Sequence, residues 1–298
     1  MTANTAIPSI AGVGPGLPLD LLAATGRWSG PLGWDIDRDL SPADRWLESK
    51  FPDWARSLVI DWAAGAFDHL EAVVFSRGDD SAQRLYYYLC ELRGTGRVGG
   101  PEPLVFDLAK VPRPSSEART IAAVRALAAR FAVSDTALEG AITATNAARL
   151  RASAAPAPRT CLLAGSAPPD RRLHAAIEAA GWHARGPTLA QTWADPGPPV
   201  AEGTSDPAAA IGAALHAAGA GSRGFYDRGA ALAAAARGVD AAILWYVEEE
   251  EAQVWHLPAQ RAALAEAQVP ALVLTRRDWA ARDGAPAEIA AFLESLPA

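Results

Sequence analysis

The sequence predicts an α/β protein made of two doubly wound domains, each with a parallel sheet. With 298 residues the chain is longer than one average domain. Half of its residues are hydrophobic and 20% are charged, which supplies packed cores and is too little charge for a disordered chain. Short apolar runs alternate with segments of helical period, and the alternation restarts in the second half. Strands that alternate with helices in this way are typical of parallel sheets.

The first domain is predicted over residues 46–153, after an N-terminal extension of residues 1–45 that is rich in Gly, Pro and Trp. Ser41 as N-cap and Pro42 at the first helical position predict a helix start. LEAVVFS and LVFDLAKVPRP predict strands, and the helical run DSAQRLYYYLCELRG between them ends at Gly94. Ser115 to Arg151 is almost continuously helical.

The second domain is predicted over residues 154–298, because ASAAPAPRT has the composition of a linker. Beyond it, CLLAGS, DAAILWYV and PALVLTRRD predict strands. Helical segments separate them, with a loop-rich stretch containing PGPP and EGTSDP. Ligands are therefore expected at the carboxyl ends of these strands.

Several functional classes are not expected. The formal net charge is −7 and no Lys/Arg block appears, so a nucleic acid is not an expected partner. No basic segment precedes an apolar core at the N-terminus and no bilayer-length apolar run occurs, so we expect a cytoplasmic protein without a membrane partner. The glycine pattern GVGPG precedes the first predicted strand and does not predict a dinucleotide site.

Polar side chains follow the strand LEAVVFS. Asp80 or Ser81 is favoured as the cap of the next helix, whereas Asp79 is either a site carboxylate or a cap. Arg56 and Arg77 flank the same position. Each arginine is either a contact to an anionic ligand or an exposed surface residue.

A second set of candidates follows the strands of the C-terminal half. Glu248 and Glu250 belong to a run of four glutamates, which usually forms a solvated face or a first helical turn. If one of them approaches Asp79, the two carboxylates repel and one pKa rises, giving an acid/base pair. Ser166 contacts a ligand or forms a turn, and His256 is a ligand contact or a structural histidine.

These segments, in this order, resemble a known family. FDHLEAVVFSRGDDSAQRLYYYLCELR is similar to a segment in which a strand ends at Cys-Asp-Ser and a helix begins with a Gln-Arg-Leu-like run. ALEGAITATNAARLR is similar to a helix with a late Asn and Arg, here Asn146 and Arg149. LLAGSAPPDRRLHAAIEAAGW and GVDAAILWYVEEEEAQVWHLPAQ resemble the start and the closing half of its C-terminal domain. From about Trp46 onward the chain resembles subunits of the 2-hydroxyacyl-CoA dehydratase and benzoyl-CoA reductase family.

The resemblance implies two flavodoxin-like domains, a CoA thioester in the cleft between them, and pairing with a homologous subunit. It also implies three cysteine thiolates that hold a 4Fe-4S cluster. Here Pro52, Asp79 and the stretch Val247 to Glu250 stand in their places, and the only cysteines are Cys90 and Cys161. Because iron in such clusters is held by thiolate sulfur, we expect no iron-sulfur cluster in this chain.

The sequence therefore predicts a cluster-free subunit that binds an acyl-CoA or completes a heterodimer, in a family associated with anaerobic degradation. One alternative is a redox-independent acyl-CoA lyase or hydratase, and another is a purely structural assembly subunit. The candidate catalytic residues are Asp79, Glu248 and Glu250. The candidate ligand-binding residues are Arg56, Arg77, Ser81, Ser166 and His256.

Overall fold

A computed structural model describes residues 9–48, 50–109, 111, 113–151, 159–219 and 228–297. The chain divides into two compact units. Unit 1 comprises Met1–Ser49, Ala55–Ser153 and Trp193–Arg223, and unit 2 comprises Lys50–Trp54, Ala154–Thr192 and Gly224–Ala298. Each unit has a four-stranded, all-parallel sheet with flanking helices, which confirms the predicted fold class.

The sheet of unit 1 has the order β2-β1-β3-β4. Its strands are β1 (Ser9–Val13), β2 (Trp28–Pro31), β3 (Leu70–Ser76) and β4 (Glu102–Phe106). β3 reads LEAVVFS and is almost wholly buried, as expected for a β-branched strand between two parallel neighbours. The predicted strands of the first domain are therefore present.

Residues 9–31, which the sequence placed in an N-terminal extension, supply β1, β2 and the helix α1 (Leu19–Ala24) between them. β1 pairs with both β2 and β3, so it lies inside the sheet. SIAGV is short and rich in small residues, so its sequence does not distinguish a buried strand from a loop. Ser41 begins a short 3₁₀ helix, Ser41–Arg45, with Leu40 at the N-cap position.

The helices of unit 1 pack closely. They include α3 (Asp80–Gly94), α4 (Pro114–Arg130), α5 (Asp135–Arg151) and α8 (Pro207–Ala218), and α2 (Asp53–Ala63) begins at the end of the Lys50–Trp54 segment. Gly212 of α8 faces α4, and a Cβ there would lie 2.7 Å from the Cα of Ile121. A side chain at this position would push the two helices apart.

Residues 193–219 belong to unit 1, whereas the sequence predicted them in the second domain. Arg149 forms a bidentate ion pair with Asp20, at 2.9 and 2.8 Å, and donates to the carbonyl oxygen of Pro196 at 2.7 Å. The Asn146 amide donates to the carbonyl oxygen of Val200 at 2.8 Å and accepts from its N–H at 3.0 Å. These buried hydrogen bonds fix the 196–200 loop on α5. Most of the predicted linker, residues 152–158, lies outside the described residues.

Unit 2 repeats the architecture with the strand order β6-β5-β7-β8. Its strands are β5 (Thr160–Gly165), β6 (His183–Arg185), β7 (Ala241–Val247) and β8 (Ala271–Arg277). Every residue of β7 is buried. Ala242, Leu244 and Tyr246 share one buried apolar cluster with Leu232 and Leu264.

The helices of unit 2 flank this sheet. They are α6 (Arg172–Ala179), the short α7 (Leu189–Trp193), whose last residue belongs to unit 1, α9 (Arg228–Ala235), α10 (Leu257–Glu266) and α11 (Ala285–Glu294). A 3₁₀ segment, Glu248–His256, connects β7 to α10. Over the described ranges, no helix has both the length and the apolar character that crossing a bilayer requires.

Candidate functional site

Each sheet has one place where the strand order reverses. In unit 1 it lies between β1 and β3, and in unit 2 it lies between β5 and β7. Open parallel sheets bind ligands in the crevice outside the carboxyl ends of such strands. Asp79 follows β3, Ser166 follows β5, and the glutamate run follows β7. The predicted residues therefore fall at the two reversal points.

The reversal point of unit 1 is occupied by the protein's own backbone. Gly14, directly after β1, has φ +92°, and a Cβ there would lie 3.0 Å from the Cβ of Ser76 and 3.2 Å from that of Ala82. The Ser76 hydroxyl donates to the carbonyl oxygen of Pro15 at 2.5 Å. The glycines of GVGPG thus permit close approach of two loops, and α1 beyond them has only six residues.

Asp79 is the N-cap of α3. Its Oδ1 accepts a hydrogen bond from the Ala82 N–H at 2.7 Å. The sequence had favoured Asp80 or Ser81 for this role, but both lie inside the first turn of the helix. The structure therefore gives Asp79 a structural role at the end of β3.

The two arginines near this edge have carboxylate partners. Arg77 forms an ion pair with Asp107, which also accepts from Arg119 Nε at 2.9 Å. Burial acts to raise the pKa of Asp107, but the hydrogen bonds and charges of the two guanidinium groups hold it below its usual value. Arg56 pairs with Asp44 at 2.6 Å. These contacts make both predicted arginines part of surface ion pairs.

At the reversal point of unit 2, the structure brings two predicted residues together. The Ser166 hydroxyl donates to Glu250 Oε2 at 2.6 Å. The Ser166 Oγ also accepts from the Val247 N–H at 3.2 Å, and the Ser166 N–H donates to the Trp245 carbonyl oxygen at 2.7 Å. Ser166 is only 3% exposed, so its position is fixed.

The preceding glycine allows this approach. Gly165 has φ +101°, and a Cβ there would overlap the carbonyl oxygen of Trp245. The 3₁₀ segment after β7 is kinked at Glu250, where φ is −99° and ψ is 38°. The kink interrupts the regular turn at the residue whose carboxylate meets Ser166.

The hydrogen bonds continue outward from Glu250. The Gln253 amide donates to Glu250 Oε2, and the Arg228 guanidinium donates to Gln253 Oε1. We call Ser166, Arg228, Glu250 and Gln253 the Ser166 network. It combines one carboxylate, one guanidinium and two neutral polar groups at the carboxyl edge of a parallel sheet.

Charges of this network affect the pKa values of two further groups, His256 and Tyr246. Burial and the nearby Arg228 charge lower the pKa of His256, so its imidazole is neutral near pH 7. Burial raises the pKa of Tyr246, whose hydroxyl donates to Gln260 at 2.5 Å. The lowered pKa of His256 favours its neutral imidazole over the cation.

The other glutamates of the run differ from Glu250. Glu248 is exposed and lies 3.5 Å from Arg276. Desolvation raises the pKa of Glu249, although its side chain retains exposed surface, and repulsion from the adjacent carboxylates acts in the same direction. The expected pairing of a glutamate with Asp79 stays a prediction, since Asp79 belongs to unit 1 and the run to unit 2.

Other groups stand at the positions where the resemblance places cluster cysteines. Pro52 is buried, Asp79 caps α3, and Val247 ends β7 with 4% exposure. Burial raises the pKa of the Cys161 thiol to about 12, and Cys90 is half-buried in α3. Among the residues that the structure describes, no three His, Cys, Asp or Glu side chains come together to hold a metal ion.

Arg228 and Gln253 were not found by sequence reasoning. Gln253 lies three residues after Glu250, a spacing that places two side chains of one helical turn together. Arg228 approaches Gln253 through tertiary structure alone, which no local pattern indicates.

Comparison of the whole chain with protein-family models found no match, and comparison with curated protein sequences found none either.

Proposed function

We propose that this chain is a cluster-free subunit of the 2-hydroxyacyl-CoA dehydratase and benzoyl-CoA reductase type, and that it binds a CoA thioester at the Ser166 network. The observation that supports the proposal is the meeting of Ser166 and Glu250, 2.6 Å apart, at the reversal point of the unit 2 sheet. Parallel sheets bind their ligands at this position. A small number of fixed polar groups is also what a ligand site needs for orientation.

The chemistry of a CoA thioester suits the groups of the network. Its phosphates are anionic, and the planar guanidinium of Arg228 is the cation in this set that could pair with them. Its pantetheine arm carries amides, for which the Gln253 amide offers both a donor and an acceptor. Glu250 already accepts hydrogen bonds from Ser166 and Gln253, which reduces its repulsion of an anion.

The cluster-free part of the proposal rests on the residue types at the cysteine positions. Proline, aspartate and the stretch from Val247 to Glu250 offer no thiolate. Any one-electron step must then use a cluster held elsewhere. We therefore propose a homologous, cluster-bearing subunit as the partner, with this chain contributing the thioester site.

Calorimetric titration with benzoyl-CoA tests the ligand. We expect saturable binding that Arg228→Gln weakens about tenfold, because a hydrogen bond to a charged group contributes roughly 1.5–3 kcal/mol. Arg261→Gln is the matched control, since Arg261 is an exposed arginine of α10 outside the network. Equal affinities of the two variants, or no binding by the wild type, would refute the site.

Iron and sulfide quantification of the purified chain tests the proposal that the subunit holds no cluster. We expect neither in stoichiometric amount when the chain is purified alone under anaerobic conditions. Stoichiometric iron together with sulfide would refute a cluster-free subunit, whatever the outcome of the thioester titration.

A second candidate is a redox-independent acyl-CoA lyase or hydratase. The hydrogen bond between Ser166 and the Glu250 carboxylate favours it, because Glu250 could act as a base held in place by the hydroxyl. In this case Glu250→Gln abolishes turnover of an acyl-CoA. Asp79→Asn is the companion variant. Asparagine also caps helices, so this substitution removes the carboxylate as an acid or base and keeps the cap. Turnover unchanged in both variants would remove Glu250 and Asp79 from the mechanism, whereas no turnover by the wild type would leave a structural assembly role.

A further inference from the structure

A groove on unit 2 is built around an exposed tryptophan. Trp255 is 84% exposed, the largest exposure among the large hydrophobic side chains that the structure describes. The groove has a volume of about 390 Å³ and is lined by Glu251, Val254, Trp255, Pro258, Thr275 and Arg276. Trp255 exposes a large apolar surface to water, which indicates a contact site.

The charged side chains of the groove lining are one carboxylate and one guanidinium. The Glu251 side chain lines the groove and has neither a hydrogen bond nor an ion pair to any described residue. Arg276, the one arginine of the lining, is 78% exposed and lies 3.5 Å from the Glu248 carboxylate. Glu251 is therefore the lining carboxylate that remains for an incoming cation.

We propose that this groove, which we call the Trp255 groove, is a docking surface for a partner protein that presents an arginine. A guanidinium stacked on an indole ring is attracted to the ring face, and the same guanidinium can donate to a neighbouring carboxylate. Trp255 and Glu251 both line the groove, so one bound guanidinium can meet the ring and the carboxylate together. The net charge of −7 adds long-range attraction for a basic surface.

The exposure of Trp255 indicates a protein rather than a small molecule as the occupant. Small-ligand sites enclose most of the ligand surface, and this ring stands out from the groove wall. Tryptophan and arginine are also the residues most enriched among the side chains that dominate protein interfaces. The inference does not depend on thioester binding at the Ser166 network.

Fluorine NMR of the full chain labelled with 5-fluorotryptophan tests the proposal. The Trp255 resonance is assigned as the signal lost in Trp255→Phe, and the probe is the peptide acetyl-Gly-Arg-Gly-Arg-Gly-amide. We expect a saturable shift of that resonance. A matched peptide with citrulline in place of both arginines removes the charge at nearly constant shape, and we expect at least fivefold weaker binding from it.

Glu251→Gln in the same labelled chain should weaken the arginine peptide about fivefold. Glu294→Gln, at an exposed glutamate of α11, should leave the affinity unchanged. Unshifted resonances of the other tryptophans show that each variant is folded. Equal shifts from the two peptides, no saturable shift, or no effect of Glu251→Gln would each overturn the proposal.

Two other occupants give distinct results. Self-association in sedimentation velocity that Trp255→Ala abolishes would assign the groove to a second copy of the chain. Binding of free methylguanidinium as tightly as the peptide would assign it to a small cation. Either result would overturn the docking of an arginine-bearing partner.

Discussion

Arg149→Met should selectively release the 196–200 loop of unit 1 from α5. The Arg149 and Asp20 side chains are 6% and 4% exposed, so this is a buried ion pair. Methionine retains the apolar stem but leaves the Asp20 carboxylate buried without its partner. Breaking a buried pair from one side costs about 3–5 kcal/mol.

The stability lost in Arg149→Met should be lost first in the 196–200 loop and only then in the whole of unit 1. Arg149 also donates to the carbonyl oxygens of Pro196 and Gly197, at 2.7 and 3.2 Å. The Val200 N–H, which donates to Asn146 at 3.0 Å, is the reporter amide. We expect its hydrogen exchange in Arg149→Met to accelerate by at least a hundredfold, the equivalent of about 3 kcal/mol.

Two further variants isolate the ion pair from general destabilisation. Arg125→Met removes an exposed ion pair of the same unit and should leave Val200 exchange nearly unchanged. Asp20→Asn combined with Arg149→Met removes the uncompensated charge and should recover part of the protection. If Arg149→Met slows or barely changes exchange, or if the double variant is no better protected, the buried charge does not hold the loop.

Other perturbations test packing and titration. Gly212→Ala should destabilise unit 1 by about 1–3 kcal/mol in urea unfolding, because the new Cβ meets α4. Gly140→Ala, at an exposed helix position with open space, should stabilise the unit slightly. Equal effects of the two substitutions would contradict the close approach of the helices. The pKa of the Cys161 thiol is raised from 9.0 to about 12 by burial. The contribution of the neutral thiol to the free energy of unfolding is therefore fully present below pH 9. It is lost as the pH rises from 9 towards 12, by about 1.4 kcal/mol per pH unit. Cys161→Ala should flatten this part of the alkaline stability profile, and an unchanged slope would contradict burial of the thiol. Ellman's reagent should modify Cys90 well before Cys161 in the native protein, and simultaneous reaction would refute the difference in burial. Gly165→Ala should abolish thioester binding by displacing Ser166, and retained affinity would place the ligand elsewhere.

Local sequence predicted the features that depend on neighbours along the chain. LEAVVFS and DAAILWYV form the buried strands β3 and β7, because β-branched and apolar runs bounded by turn residues suit a strand covered on both faces. The same apolar runs also predicted where β5 and β7 end, and so placed Ser166 and the glutamate run at strand ends. SIAGV was missed, since its small residues become a strand only through pairing with β2 and β3.

The sequence by itself determined the fold class, the strand-end positions of the candidate residues and the lack of thiolates at three places. Tertiary structure alone decided that Glu250 turns to Ser166, that Arg228 contacts Gln253, and that residues 193–219 pack in unit 1. The physical reason is sequence separation. A helical or strand period reports contacts within a few residues, whereas the Ser166–Glu250 and Arg149–Asp20 bonds join groups 84 and 129 residues apart.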